Sequence, residues 1–259
     1  MANHATTHRL LRAWGLPATG FVLAAGLWAG AVALLAQDVP IIGHFAPGAT
    51  FEALAHLLAE GTLNHHILVS LKRVAVGLLF ALLLGIPLGI LSGTSAAFAR
   101  ATTPLFQFLR MISPLSWMPL AVMALGVGDA PVYFLLSFAA VWPIVINTAA
   151  GVHQLDKHWL LLARSLSATR RETVLRLILP GITAHILTGV RLAIGIIWIV
   201  LVPAEMLGVS AGLGYFILDT RDRLAYPELM AAVLVIGLLG FLLDALARWL
   251  HDRWLHRRS

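Results

Sequence analysis

Six stretches of about 20 residues, each nearly free of charged side chains, follow one another along this chain of 259 residues. They lie at about residues 18–37, 70–92, 105–126, 131–150, 183–207 and 229–249. About 20 apolar residues are needed for a helix to cross the hydrocarbon core of a bilayer. A helix also satisfies its own backbone hydrogen bonds there. We therefore expect an all-α polytopic membrane protein with six transmembrane helices.

The composition supports this expectation and excludes several other classes of protein. Hydrophobic residues make up 59% of the chain and charged residues 12%, against about 25% charged residues in soluble domains. The net charge is +6, but the cations lie beside apolar spans and form no basic stripe with aromatics. We therefore expect membrane lipid, and no nucleic acid, as a partner. The absence of cysteine excludes disulfides, thiolate metal sites and cysteine nucleophiles.

The N-terminal segment has the pattern of a retained membrane anchor. Arg9 and Arg12 precede an uncharged run from Ala18 to Ala36, which is too long for the apolar region of a cleaved signal peptide. We expect three regions. These are a tail, first span and outer amphipathic segment at 1–64, a core of five transmembrane helices with the loop 151–181 at 65–250, and a basic tail at 251–259.

Cations orient the predicted spans. Arg100, Arg110, the loop 151–181 and the basic tail alternate with cation-poor connections such as 38–65. Because cytoplasmic loops are enriched in Lys and Arg, we expect a bacterial inner-membrane protein with both termini in the cytoplasm. Lys72 and Arg73 are on the opposite side. Either the rule tolerates them or they line a polar route.

Three short segments carry local patterns that predict packing, position or the absence of a metal site. The Gly85–Gly89 motif, GIPLG, predicts a kink with close helix packing. The segment FEALAHLL, from Phe51 to Leu58, has apolar residues at helical spacing and predicts an amphipathic helix along the outer interface. His65 and His66 are adjacent, so they do not share a helix face, and we expect no metal there.

Polar and strained positions inside the spans are the candidates for a translocation pathway. Pro114 and Pro119 should bend or interrupt the third span, and four residues near such positions form the candidate set: Trp117, Asn147, Arg191 and Glu205. Arg191 either faces a translocated anion or extends to the cytoplasmic interface. Glu205 is expected to cap a helix or bind a loop donor, and Asp244 to pair with Arg248.

The loop 151–181 has the pattern helix, break, helix. Asp156 can cap a first helix that ends at Leu166. Thr169 and Glu172 have the spacing of a capping box, so a second helix should begin at Arg170. We expect that helix to stop by Leu179, because Pro180 cannot continue its hydrogen bonding.

The first loop helix carries an apolar ridge on a basic, solvent-side segment. We expect it to dock into a groove of a partner protein, and the alternative is an interfacial helix resting on lipid. The predicted docking residues are Trp159, Leu162, Ala163, Arg164, Leu166, Ser167 and Ala168.

Taken together, the sequence resembles the permease subunit of an ATP-binding-cassette (ABC) importer of the nitrate/sulfonate/taurine branch. The matching motifs span about 65–250: SLKRVAVG (70–77), GIPLGILSG (85–93), SPLSWMPLAV (113–122), WPIVINTAAGV (142–152), LLLARSLSATRRETVLRLILPG (160–181), TGVRLAIGIIWIVLVPAEML (188–207) and GLGYFILD (212–219). Such permeases carry an EAA motif, a Gly four residues on and a late Leu-Pro. Leu179-Pro180 and Ala163 match, whereas Leu161 stands at the Glu position and Ser167 at the Gly position.

The resemblance implies a type I (MetI-like) importer permease fold and a set of partners. These would be two cytoplasmic ATP-binding subunits on the 155–170 loops, a second permease copy forming a homodimer, and a periplasmic or lipid-anchored solute-binding protein. No cofactor would be bound by this chain, and ATP-Mg would be bound by the partner subunit. In agreement, the sequence has no GxxxxGK[ST] nucleotide loop. We therefore expect no enzymatic activity of its own.

Other functions stay open on the residues alone. An ion-coupled carrier would need acidic or histidine relays in the spans, where Glu205 and Asp244 lie at opposite faces. A membrane enzyme would need a clustered catalytic constellation, and none is found. For an importer, the solute is expected to be a small anion such as nitrate, a sulfonate or taurine. A small neutral or aromatic solute is the alternative.

Overall fold

A computed structural model describes the backbone of residues 3–256 and the side chains of residues 19–254. The side chains of Arg9 and Arg12 and the end of the basic tail, with Arg257 and Arg258, lie outside the described part. The described part is helical. Its elements are α1 (Asn3–Leu35), a 3₁₀ turn (Pro40–Phe45), α2 (Pro47–Glu60), α3 (Thr62–Thr94), α4 (Ala96–Met111), a second 3₁₀ turn (Pro114–Trp117), α5 (Met118–Leu125), α6 (Asp129–Gln154), α7 (Lys157–Ser165), α8 (Arg170–Glu172), a π-helical turn (Thr173–Ile178), α9 (Leu179–Glu205), α10 (Leu213–Asp222) and α11 (Tyr226–His256).

The expected spans are present, but most of the helices that contain them are longer. Within the described part, four helices are long and apolar enough to cross a membrane, namely Thr62–Thr94, Asp129–Gln154, Arg170–Glu205 and Tyr226–Trp254. The pair α4 and α5 passes the same test as one bent span, and Thr19–Leu35 is a shorter apolar helix. The all-α fold is therefore confirmed, and the four or five candidate crossings of the described part, with the shorter apolar helix beside them, are roughly consistent with six spans.

The third span is interrupted as expected. α4 and the Pro114–Leu125 segment meet at 89°. Ser113, which precedes Pro114, has an extended ψ of 129°, because proline disfavours the helical conformation of the residue before it. Pro119 lies in the first turn of α5, where its missing N–H costs no hydrogen bond.

A stripe of small residues on α3 lets this helix approach α6 closely. A Cβ added to any of four of its glycines would lie 2.5–2.8 Å from an α6 side chain; the glycines are Gly77, Gly85, Gly89 and Gly93, and they face Leu136, Ile144, Thr148 and Val152. Both sets largely follow four-residue steps, so they share one face of each helix. The close packing expected from the GIPLG motif is confirmed.

α6 and α9 form the centre of the core. Leu135, Ile144, Ile197 and Leu201 are fully buried in one apolar cluster. Gly189 brings α9 to the α6 backbone, since an added Cβ would lie 3.1 Å from the Pro143 carbonyl oxygen. α6 is buried over most of its length, which explains why it carries so few charged residues.

The expectation that a helix ends at Leu179 is wrong. Arg170–Glu205 runs on as one helix, and a π-helical turn from Thr173 to Ile178 directly precedes Pro180. The N–H of Leu179 donates to the carbonyl of Val174, five residues earlier. This wider turn accommodates the pyrrolidine ring, which would collide with the carbonyl four residues back in a regular α-helix.

The chain divides into two compact units, residues 1–63 with 219–234 and residues 64–218 with 235–259. In the first, Phe45 packs against Tyr226 with ring centroids 5.2 Å apart. Its α2 helix is amphipathic, with Leu57 buried and Phe51 exposed. The second unit contains every candidate site residue.

The α3–α6 contact makes a prediction about stability. In Gly89→Ala the new Cβ would lie 2.8 Å from the Val145 carbonyl oxygen, and backbone cannot yield as a flexible side chain can. We expect the unfolding free energy in detergent to fall by about 1–3 kcal/mol. Gly195→Ala and Gly237→Ala are matched controls, because nothing lies within 4 Å of the added Cβ. Thermal unfolding midpoints that fall equally in all three variants would contradict the packing argument.

Candidate functional site

α7 begins where the sequence predicts. The Asp156 side chain caps it, accepting a hydrogen bond of 2.8 Å from the His158 N–H. The helix runs from Lys157 to Ser165 with Leu166 as its C-cap, so the expected cap and end are confirmed. A capped end fixes a helix that is too short to be stable by itself.

Ser167 makes the turn that ends α7. Its φ is +56°, in the left-handed region that costs a residue other than glycine roughly 1–2 kcal/mol. The turn is closed by the Ala168 N–H, which donates to the Ala163 carbonyl at 3.0 Å. Ser167 thus performs the conformational role of the Gly that the importer motif has at this position.

Thr169 and Glu172 form the expected capping box. The Glu172 N–H donates to the Thr169 hydroxyl at 3.2 Å, and the Thr169 N–H donates to the Glu172 carboxylate at 2.9 Å. The Thr169 hydroxyl also donates to this carboxylate at 2.8 Å, and the two bonds to the carboxylate, from the backbone and the hydroxyl of Thr169, hold the pKa of the exposed Glu172 carboxyl below its usual value. The box lies in the first turn of the Arg170–Glu205 helix, before its apolar part, and fixes where that helix begins.

α7 has an apolar face that the described residues leave uncovered. Trp159 is 58% exposed, Leu162 48% and Leu166 74%. Ala163 lies among them and is half-buried, and Arg164 and Ser167 are exposed. On its inner side the helix is held by Leu160, which packs on the cluster of Val152, Ile178 and Ile182. The loop is therefore anchored on one side and presents apolar surface on the other.

A buried ionic network joins three helices. Arg73 on α3 donates to Asp129 at the start of α6 at 3.0 Å through Nε, and to Glu205 at the end of α9 at 2.8 Å through Nη1. Glu205 is fully buried. It also accepts from the Ser70 hydroxyl at 2.8 Å and the Gly214 N–H at 2.9 Å. Buried charges are stable only when paired and hydrogen-bonded in this way.

The same network holds the turn between α9 and α10. Arg73 donates to the Ala211 carbonyl at 2.6 Å, the Leu213 N–H donates to Ser70 at 2.8 Å, and the Gly212 N–H donates to His66 at 3.1 Å. Gly212 has φ +115°. A side chain there would be strained in conformation and would also meet Arg73.

Sequence reasoning missed the role of Arg73. It lies on no open polar route, because it is 2% exposed and has two carboxylate partners, and these partners compensate a cation that the positive-inside rule would place on the other side. The sequence did contain a signal for a buried ion pair: Arg73 lies in the first half of α3, on the side of the membrane where the connections are poor in cations. Glu205 accepts from the N–H of Gly214 in the first turn of α10, as expected for a residue that caps a helix, and a pathway role for Glu205 stays a prediction.

Arg191 is bound to an acid on another helix. Its Nε lies 3.3 Å from Oδ1 of Asp244 on α11, and Asp244 also pairs with Arg248, as the sequence predicts. The three side chains are each about 40% exposed. The pairing supplies the compensating charge that an arginine in a span requires.

Trp117 and Asn147 lie near the interrupted span. Trp117 packs against Phe138 in a tilted arrangement with ring centroids 5.5 Å apart, and its buried indole Nε1 has no hydrogen-bond partner. Asn147 donates to the Pro143 carbonyl at 2.8 Å. It lines a cavity of about 300 Å³ together with Arg110 and Trp142.

Among residues 19–254 no group of three or more His, Cys, Asp or Glu side chains could hold a metal ion. The candidate site consists of the α7 loop, with its exposed apolar face, at one place and of a cavity beside α6 at another.

Comparison with known proteins agrees with this description. The family model described as "Binding-protein-dependent transport system inner membrane component" matches residues 85–258. The nitrate import permease protein NrtB of Leptolyngbya laminosa is 40% identical over 187 residues, 72% of this chain and 67% of that protein. The bicarbonate transport system permease protein CmpB of Synechococcus elongatus is 40% identical over 192 residues, 73% and 68%. The taurine transport system permease protein TauC of Escherichia coli is 34% identical over 194 residues, 75% and 70%.

A solved structure shows the same fold. The MetNI methionine ABC transporter in an inward-facing conformation superposes with a TM-score of 0.59 at 16% identity, over 76% of this chain and 96% of that chain. The type I importer permease fold expected from the sequence is confirmed. With the family match and the relatives above, this chain belongs to the binding-protein-dependent transport system inner membrane components, the non-enzymatic membrane subunits of ABC importers.

Proposed function

We propose that two copies of this chain form the membrane pathway of an importer for a small anion. Two ATP-binding subunits would drive transport, each by binding α7 of one copy. A solute-binding protein would deliver the solute from the opposite side. One observation carries the docking proposal: the helix is capped at its start, turned by Ser167 at its end, and exposes an apolar face.

The geometry of α7 favours a protein groove over a lipid surface. Trp159, Leu162 and Leu166 lie at helical spacing on one face, which is the arrangement of anchors in helix-in-groove recognition. A helix that only rested on lipid would need no fixed exit angle. Here the left-handed Ser167 and the Thr169 capping box determine that angle.

The inner side of α7 gives docking a mechanical consequence. Leu160 packs with Val152 near the end of α6 and with Ile178 and Ile182 at the start of the Arg170–Glu205 helix. A displacement of α7 by an ATP-binding subunit would therefore move the ends of both helices, because packed cores transmit displacement. ATP-Mg would be bound and hydrolysed entirely on the partner.

The solute class is proposed from the relatives. The names of two of them give nitrate and bicarbonate, both oxoanions, and a third gives taurine, which carries a sulfonate. Their identities of 34–40% over at least 72% of this chain support a solute of the same kind. We therefore propose a small oxoanion or sulfonate.

We also propose that both termini and the loop 151–181 lie in the cytoplasm. The cation distribution supports this orientation. Single cysteines introduced at Ser167 and at Ala49, in a chain that has no cysteine, can be labelled in intact cells with an impermeant maleimide. We expect labelling at position 49 from outside and at position 167 only after permeabilisation. The reverse pattern would overturn the orientation.

Docking is tested by a charge on the apolar face. We expect Ala163→Asp to abolish co-purification with the ATP-binding subunit and ATP-driven uptake, while the variant still inserts into the membrane. An unpaired carboxylate buried in an interface weakens binding by about 2–5 kcal/mol.

Ser165→Asp is the matched control, because Ser165 is exposed and, two residues from Ala163, projects from the helix about 160° away from it. It adds the same charge to the same helix and should co-purify normally. Wild-type co-purification of Ala163→Asp, or equal loss in both variants, would contradict docking through this face.

A further inference from the structure

The interruption of the third span borders the cavity of about 300 Å³. Arg110 and Pro114 contribute from the end of α4 and the 3₁₀ turn, Trp142 and Asn147 from α6, and Leu192 from α9. Liquid water occupies about 30 Å³ per molecule. The cavity can thus accommodate a small polyatomic ion with some of its water.

The polar side chains of this cavity are donors in excess of acceptors. A guanidinium has only N–H donors, and a side-chain amide has two. Asn147 donates one N–H to the Pro143 carbonyl, and its second N–H is available to a ligand. Trp142 contributes ring surface alone, because its indole Nε1 is buried away from the cavity. No carboxylate is among the lining residues, so an anion there would meet no like charge.

The charge of Arg110 is also uncompensated within the described part of the chain. Arg73 and Arg191 are both paired with acids, whereas Arg110 has no acidic side chain within 4.0 Å among residues 19–254. It lies on α4, which passes the test for a span together with α5. Its side chain is exposed in the last turn of α4, so the guanidinium is available to an anion in the cavity.

We propose that this cavity is an oxoanion subsite on the route of the transported solute, with Arg110 supplying charge and Asn147 supplying an N–H donor. The planar guanidinium matches two oxygens of a nitrate, carboxylate or sulfonate group at once. The proposal rests on the proposed importer function and adds where its solute binds. It moves the expected anion contact from Arg191 to Arg110.

Cysteine chemistry tests the subsite without any transport measurement. Ile146 lines the cavity and is 46% exposed, so Ile146→Cys gives a single reactive thiol. The purified protein is treated with an anionic sulfonatoethyl methanethiosulfonate and with a cationic trimethylammonioethyl one. The ratio of the two modification rates, anionic over cationic, reports the local charge. We expect Arg110→Gln to lower this ratio by about tenfold or more, which is the effect of removing a unit charge about 8 Å from the charged group of the reagent.

Two controls isolate the cavity and the charge. Phe134→Cys places a thiol on the same helix α6 at a residue that is 38% exposed and outside the cavity. Its rate ratio should not respond to Arg110→Gln. Arg100→Gln removes a cation ten residues earlier on α4 and should leave the ratio at position 146 unchanged. Leu192→Cys provides a second thiol in the cavity if Ile146→Cys does not fold.

Protection identifies the occupant. In a phosphate-free maltoside detergent at constant ionic strength, nitrate and taurine should slow modification of Ile146→Cys more than chloride does, and only when Arg110 is present. Protection equal to that by chloride overturns the oxoanion class. Protection that appears only after phospholipid is added assigns the cavity to a lipid phosphate and overturns the solute route. If neither reagent modifies the thiol at position 146 or at position 192, the cavity is closed to ions, and the solute route is overturned as well.

Failure here is distinguishable from failure of the proposed function. The thiol rates use neither ATP nor the ATP-binding subunit. A ratio unaffected by Arg110→Gln removes the subsite and leaves the docking of α7 untouched.

Discussion

The buried ion pairs of Arg73 are the interaction on which the rest of the core depends. One guanidinium on α3 binds Asp129 on α6, Glu205 on α9 and the Ala211 carbonyl in the following turn. Removing one partner of such a network leaves an uncompensated buried charge, which costs about 3–5 kcal/mol. The network therefore fixes the relative register of three helices at one end. Along the rest of α3, the four glycines that face α6 let the two helices pack closely.

The same helices carry the α7 loop at their other end. α6 leads into the Asp156 cap, and the Arg170–Glu205 helix begins with the Thr169 capping box. α7 lies between them, bound inward by Leu160 and apolar outward. In the proposed importer, ATP binding acts on this loop and solute occupies the cavity near Arg110. Both are attached to α6, so one helix would connect the energy source to the solute.

The sequence predicted what depends on neighbouring residues. The helix caps at Asp156 and Thr169 involve residues only two or three positions apart, so local spacing predicts them. The apolar spans follow from length and charge alone. The pairing of Arg191 with Asp244, 53 residues away, depends on which helices pack together, and spacing carries no such information. Arg73 was missed for the same reason. Pro180 was misread because a π-helical turn absorbs the clash that normally ends a helix.

The central claim is that this chain moves its solute with energy taken from another subunit. The most direct measurement is uptake of labelled nitrate, bicarbonate and taurine by liposomes that contain this chain with its ATP-binding subunit and solute-binding protein. The account predicts uptake of at least one of them that requires ATP on the side of the ATP-binding subunit and stops without the binding protein. Uptake by this chain alone, driven by a proton or sodium gradient without ATP, would contradict it.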